Sequence, residues 1–134
     1  MIKYRKGYKY RLEQLYSIQT GITGVNTHVI PGYCALYPTG KLEIAYGYAW
    51  DGATGAIDTG SVMRASLVHD ALYQLMRESD LSISYRDAVD DLLWELMRED
   101  GVNWLRAWYI YRAVRMFGDV FAQPNAPTIL SAPK

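Results

Sequence analysis

The chain has 134 residues, half of them hydrophobic and 21% charged, which is the make-up of one folded domain and excludes a disordered chain. Fourteen basic side chains balance fourteen acidic ones, so the chain lacks the cationic surplus of a protein built to hold nucleic acid. The single cysteine, Cys34, excludes an intrachain disulfide or a multi-cysteine zinc site, and no apolar run approaches the roughly 20 residues that span a bilayer.

The first half reads as β. Alternation at Tyr8, Tyr10 and Leu12 predicts a strand within residues 8–20, and residues 27–30 and 33–37 predict two more. Pro38-Thr39-Gly40 is a turn signal. A fourth strand follows over residues 41–48, with Leu42, Ile44 and Tyr46 on one face. The connections are too short for crossover helices, so antiparallel hairpins are expected. Residues 51–61 (DGATGAIDTGS) form a glycine-rich loop, either a functional loop or a plain connector from sheet to helix.

The period then changes from two to 3.6. A helix capped by Ser61 and running to Glu78 carries Ala65, His69, Leu72, Tyr73 and Met76 on one stripe. Residues 79–84 connect it to a second helix over 85–100, with Ser84 as its expected cap and Asp87 three residues on. Tyr85, Ala88, Val89, Leu92, Leu93, Leu96 and Met97 make its apolar stripe. Gly101 stops it, Asn103 caps a third helix over 104–117, and Gly118 ends that one. The expectation is one α+β domain over residues 1–121. It has a small antiparallel sheet in 1–50, the loop 51–61 and a three-helix half over 62–118 that contains an antiparallel helix pair. A proline-containing tail occupies 122–134.

The third helix interleaves Trp104, Trp108, Tyr109, Tyr111, Met116 and Phe117 with Arg106, Arg112 and Arg115. It reads as a core helix with an arginine-decorated outer face, or alternatively as a docking or membrane-surface face. The first eleven residues hold five basic groups and no acid, either a solvated face or an arm for anionic lipid or a partner. No apolar segment follows those charges as a signal peptide requires, so the expected location is the cytoplasm where the chain is made.

The segment His69-Asp70-Ala71-Leu72-Tyr73 is the most informative for chemistry. His69 and Tyr73 are four residues apart on one side of a helix, and the apolar company of His69 turns its ring inward. A half-buried imidazole beside a carboxylate is raw material for a general base or a metal site, and equally a satisfied core residue. On the second helix Asp87, Asp91, Glu95 and Arg98 share the solvent face. Asp90 instead lies at the margin of the apolar stripe, where a carboxylate must find partners. With a connection of about six residues the two helices run antiparallel. Tyr73 and Asp90 are then at similar heights and His69 one turn further, so all three are expected to meet. A carboxylate on the inner ring nitrogen fixes the tautomer and leaves the outer nitrogen to accept a proton. An HD-type phosphohydrolase would need more histidines than His28, the only other one, provides.

The residues 47–54 (GYAWDGAT), 65–73 (ASLVHDALY), 86–90 (RDAVD) and 109–118 (YIYRAVRMFG) resemble the DUF1353 family of small phage and prophage proteins. The succession of a glycine-containing loop, HDxxY and an aspartate on a second helix is also similar to secreted and parvoviral phospholipases A2. That resemblance implies roles residue by residue. His69 would be the general base, Asp90 would orient it, and Tyr73 would hydrogen-bond Asp90. Asp70, with the loop at Asp51, Gly52, Ala53 and Thr54, would hold Ca²⁺. The loop departs from the Tyr-Gly-x-x-Gly form of the secreted enzymes, and the absence of disulfides matches the parvoviral ones.

Two functions of different classes follow. One is a phage virion or tail-associated protein that keeps the His-Asp helix as a structural cluster, with other phage structural proteins as partners and the virion as its destination. The other is a calcium-dependent phospholipid esterase acting at a membrane surface, with His69 as base. An open ring nitrogen on His69 favours catalysis, and full burial favours structure. Nucleic acid is expected in neither.

Overall fold

The computed structural model describes residues 4–5, 10–50 and 60–118. Seven short strands precede three helices in this part of the chain, and the architecture is α+β. Strands β1 (Tyr4–Arg5), β2 (Tyr10–Leu12) and β7 (Ala49–Trp50) make one antiparallel sheet in the order β1-β2-β7. Strands β3 (Tyr16–Gln19), β4 (His28–Ile30), β5 (Cys34–Leu36) and β6 (Lys41–Ile44) make a second, in the order β3-β6-β5-β4.

Two predicted strands are shorter than expected. The stretch 8–20 is interrupted between Leu12 and Tyr16, and its two pieces join different sheets. The strand expected over 41–48 stops at Ile44, because Gly47 turns the chain at φ +88° and its N–H donates to the Leu12 carbonyl. Leu42 and Ile44 are fully buried, whereas Tyr46, expected on their face, is carried outward by the turn and is exposed.

Helix α1 (Gly60–Glu78) lies at the centre of the fold. Its expected stripe is buried, and so are Val62, Met63, Leu67, Val68 and Leu75 around it. A helix apolar on most of its circumference must be covered on most sides. The strands cover it through specific contacts. Trp50 Nε1 donates to Ser66 Oγ at 3.0 Å, Tyr48 donates to Gln74 at 2.8 Å, and His28 Nδ1 lies 2.6 Å from the Ser79 carbonyl. Ser61 falls inside this helix rather than capping it.

Helix α2 (Arg86–Glu99) runs antiparallel to α1. At one end Arg64 of α1 forms paired hydrogen bonds of 2.9 and 3.0 Å with Asp100, just past α2; at the other, Arg86 reaches Tyr73. The cap expected at Ser84 is replaced by a 3-10 turn over Ile83–Tyr85. Ser82 caps that turn by accepting from the Ser84 N–H, which moves the start of α2 to Arg86. Ala88, expected on the apolar stripe, is exposed. Gly101 ends the helix at φ +91°, a conformation other residues adopt only with strain.

Helix α3 (Trp104–Phe117) begins at Asn103, whose side chain accepts from the Arg106 N–H at 2.9 Å. It packs back on α2 through Ala107, Ile110 and Val114. The reading of α3 as a core helix fails in one respect. Trp104, Leu105, Trp108, Tyr109 and Met116 are all exposed, because the buried side needs only the three small or aliphatic positions.

Candidate active site

Three helices converge on one carboxylate. Asp90 is fully buried on α2, and His69 and Tyr73 approach it from α1. His69 Nε2 and the Tyr73 hydroxyl both lie 2.7 Å from Asp90 Oδ1. The other oxygen, Oδ2, accepts from Arg115 Nη1 of α3 at 2.8 Å, and Arg86 Nε stands 3.7 Å away. Its neighbour Asp91 is exposed and accepts from Tyr111 at 2.9 Å, so helical phase separates two adjacent acids as the stripe requires.

Burial by itself would raise the Asp90 carboxyl. The hydrogen bond and charge of His69, then the bonds from Tyr73 and Arg115, outweigh it and hold the group below the ordinary carboxylate value of 3.8. Tyr73 moves the opposite way: burial first, then the Asp90 charge, push its phenol up, so it remains a donor. The ring planes of His69 and Tyr73 lie 4.2 Å apart between centroids.

The charge state of Asp90 determines the tautomer of His69. An ionised carboxylate accepts hydrogen bonds and donates none, so the proton between the two groups belongs to Nε2. In the neutral ring Nδ1 then carries the lone pair. Nδ1 makes no hydrogen bond to the described residues, and the His69 side chain keeps 9% of its surface exposed.

The family model for DUF1353, protein of unknown function, matches residues 42–114. The chain belongs to this family. His69, Tyr73, Arg86 and Asp90 all lie within the matched segment, and Arg115 stands one residue beyond it. No curated protein and no solved structure matches the chain.

The sequence reading of this DUF1353 member missed two partners of Asp90. Arg86 lies four residues before Asp90 on the same helix, a pairing that spacing alone could have flagged. Arg86 also donates to the Val114 and Arg115 carbonyls at 2.9 and 2.8 Å, satisfying the open end of α3. Arg115 comes from another helix, and no local pattern announces it. In sequence Gly118 is a helix stop; in the fold a Cβ there would also lie 2.9 Å from the Tyr73 hydroxyl. Its lack of a side chain lets the α3 terminus close over the cluster.

The remaining candidates are less complete. Asp70 is half-buried beside His69 and already engaged in an interaction. Asp51, Gly52 and Ala53, the other expected calcium ligands, lie outside the described residues, as does the tail 122–134. Among the described residues no three acidic, histidine or cysteine side chains converge as a metal site. A site of the expected kind would draw largely on loop carbonyls, which Ca²⁺ accepts as ligands. Cys34 is buried, and burial pushes its thiol up to about 12, so it is no nucleophile near neutral pH.

Proposed function

We propose that this chain is a hydrolase of the phospholipase A2 type in which His69 acts as general base on a water that attacks a phospholipid ester. The observation that supports the reading is the 2.7 Å contact of His69 Nε2 with buried Asp90, which leaves Nδ1 as the basic nitrogen. As Nδ1 takes a proton the ring becomes cationic, and the Asp90 carboxylate, held ionised by its donors, stabilises that charge without moving. Tyr73 keeps Oδ1 aimed at the imidazole. Ca²⁺, held by Asp70 and the loop at residues 51–54, would supply Lewis-acid stabilisation of the ester oxyanion.

The test is release of fatty acid from phospholipid vesicles in millimolar calcium. The parent should be active. His69→Gln, close in size but not a base near neutral pH, should be inactive while its stability stays within about 1 kcal/mol of the parent. A parent that releases no fatty acid from vesicles or from dispersed short-chain phospholipid refutes the reading.

A second reading is favoured by the burial of both His69 and Asp90 and by the donors that reach Asp90 from all three helices. In it the chain is a phage virion or tail component, partnered by other structural proteins, and the cluster fastens the helices together. The parent then shows no hydrolysis. His69→Ala costs about 1–3 kcal/mol, because Asp90 loses a donor it cannot replace from water, whereas His69→Gln, which keeps an N–H donor, is milder.

A further inference from the structure

Helix α3 turns an unusual face to solvent. Trp104, Trp108, Arg112 and Met116 follow one another at spacings of four, and Leu105 and Tyr109 lie alongside. Five of these six are large apolar or aromatic side chains, and each is more than 40% exposed. The helix has three arginines and no acid. Arg115 is taken up by Asp87 and Asp90. Arg112, in the middle of the exposed face, sits 5.7 Å above the Trp108 ring rather than on a carboxylate. The rings of Trp104 and Trp108 stack 6.3 Å apart at 10°, so the apolar part of the face is continuous.

We infer that this face of α3 is a docking surface for a phospholipid bilayer containing anionic lipid. Trp and Tyr rings favour the boundary between headgroups and acyl chains, and a helix combining them with arginine on one side lies in that plane. Arg112 gives this face a cation that rests on a ring rather than on a carboxylate, and such a cation complements a negative membrane surface. Stacked indole rings beside a cation held on a ring, rather than a purely aliphatic stripe, fit the headgroup boundary of a bilayer. The inference deepens the proposed lipid hydrolysis by giving the enzyme a membrane-facing surface. It rests on that reading for its purpose but not for its observations. Arg115 links the two, because the side chain next to exposed Met116 is the one that grips Asp90.

The experiment is co-sedimentation of the full chain with vesicles of phosphatidylcholine alone and of phosphatidylcholine with phosphatidylserine, without calcium. Binding is expected to the mixed vesicles and to weaken with salt. The emission of exposed Trp104 and Trp108 should shift to the blue on binding. The double variant Leu105→Ser/Trp108→Ser should bind about tenfold or more weakly. Arg112→Glu should lose most of the preference for the anionic vesicles, about tenfold. Both variants should keep the parent's circular dichroism, since the altered side chains face outward. His69→Gln should bind like the parent.

No binding by the parent, equal binding to both vesicle types, or a dimer in the absence of lipid that the double variant abolishes would each overturn the inference. Binding without hydrolysis would keep the docking surface and remove the enzyme. Hydrolysis of dispersed short-chain phospholipid by a parent that binds no vesicle would keep the enzyme and remove the docking surface.

Discussion

Asp90→Asn isolates the charge at the centre of the helical half. The amide is nearly the same size, and its oxygen can still accept from His69 and Tyr73. The damage falls on the other side, where an amide NH₂ would face Arg115 Nη1 across the present 2.8 Å contact, donor against donor. Arg86, 14% exposed at its side chain, loses the carboxylate it lies beside. Breaking a buried ion pair by removing one partner costs about 3–5 kcal/mol. Arg115 is 29% exposed and keeps Asp87 at 2.7 Å, which places the expected loss at the lower end, about 3 kcal/mol. That is a large fraction of the roughly 5–15 kcal/mol that stabilises a domain, and for a chain of this size it lowers Tm by about 10 °C. Urea unfolding followed by circular dichroism measures it, with an unchanged denaturant slope as the check that both proteins unfold alike. The control is Asp91→Asn, next door but exposed, which should move stability by no more than about 0.5 kcal/mol. If Asp90→Asn costs under about 1 kcal/mol, or costs no more than Asp91→Asn, Asp90 is not the hub of the helical half.

The remaining predictions concern pH and metal. The folded-state carboxyl of Asp90 is held below its ordinary value, so its contribution is present above the unfolded value of about 3.9 and is lost as pH falls through the lower folded one. The stability gap between parent and Asp90→Asn should therefore be full near neutrality and close in acid; urea midpoints from about pH 6 to pH 2 follow it, and a constant gap contradicts the assignment. Millimolar Ca²⁺ should raise the parent's Tm, by about 2.7 kcal/mol of stabilisation at a hundred times Kd, and leave Asp70→Asn unchanged. A calorimetric scan in which neither protein responds removes the calcium expectation.

The helical half was more legible in sequence than the β half, for a physical reason. A helix of three or four turns repeats its apolar stripe several times, so the phase of Asp90 against Asp91 was fixed by many neighbours at once. Strands of two to four residues give one alternation or none. The division of residues 8–20 between two sheets depends on Leu12 meeting Tyr48 and on Tyr16 meeting Ile44, partners more than 25 residues away. The cluster was legible to the extent that it is built on the helix pair. A short connection dictates antiparallel packing, and that brings His69, Tyr73 and Asp90 together. Arg115 was not legible, because its place depends on how α3 folds back across α2. The exposure of the α3 aromatics matches the alternative reading of that helix as a docking face, because Trp and Tyr suit a half-wet surface as well as a core. A helix covering one side of α2 with Ala107, Ile110 and Val114 has no room for the larger rings beneath it.

The two oxygens of Asp90 divide the competing readings between them. Oδ1 receives His69 and Tyr73, the groups through which proton transfer would run. Oδ2 receives Arg115 and faces Arg86, the groups that tie α3 to the helix pair. A structural cluster needs the second set and would tolerate any donor in the first. A general-base site needs the first set and requires that the carboxylate stay ionised, to which His69, Tyr73 and, from the second set, Arg115 contribute. Arg86 also binds the α3 carbonyls and the Tyr73 hydroxyl, so holding α3 in place and aiming Oδ1 at the imidazole are mechanically one task. Stability and a poised histidine are therefore not alternatives at this site. The structural donors hold in place the negative charge of Asp90, which a base on His69 requires.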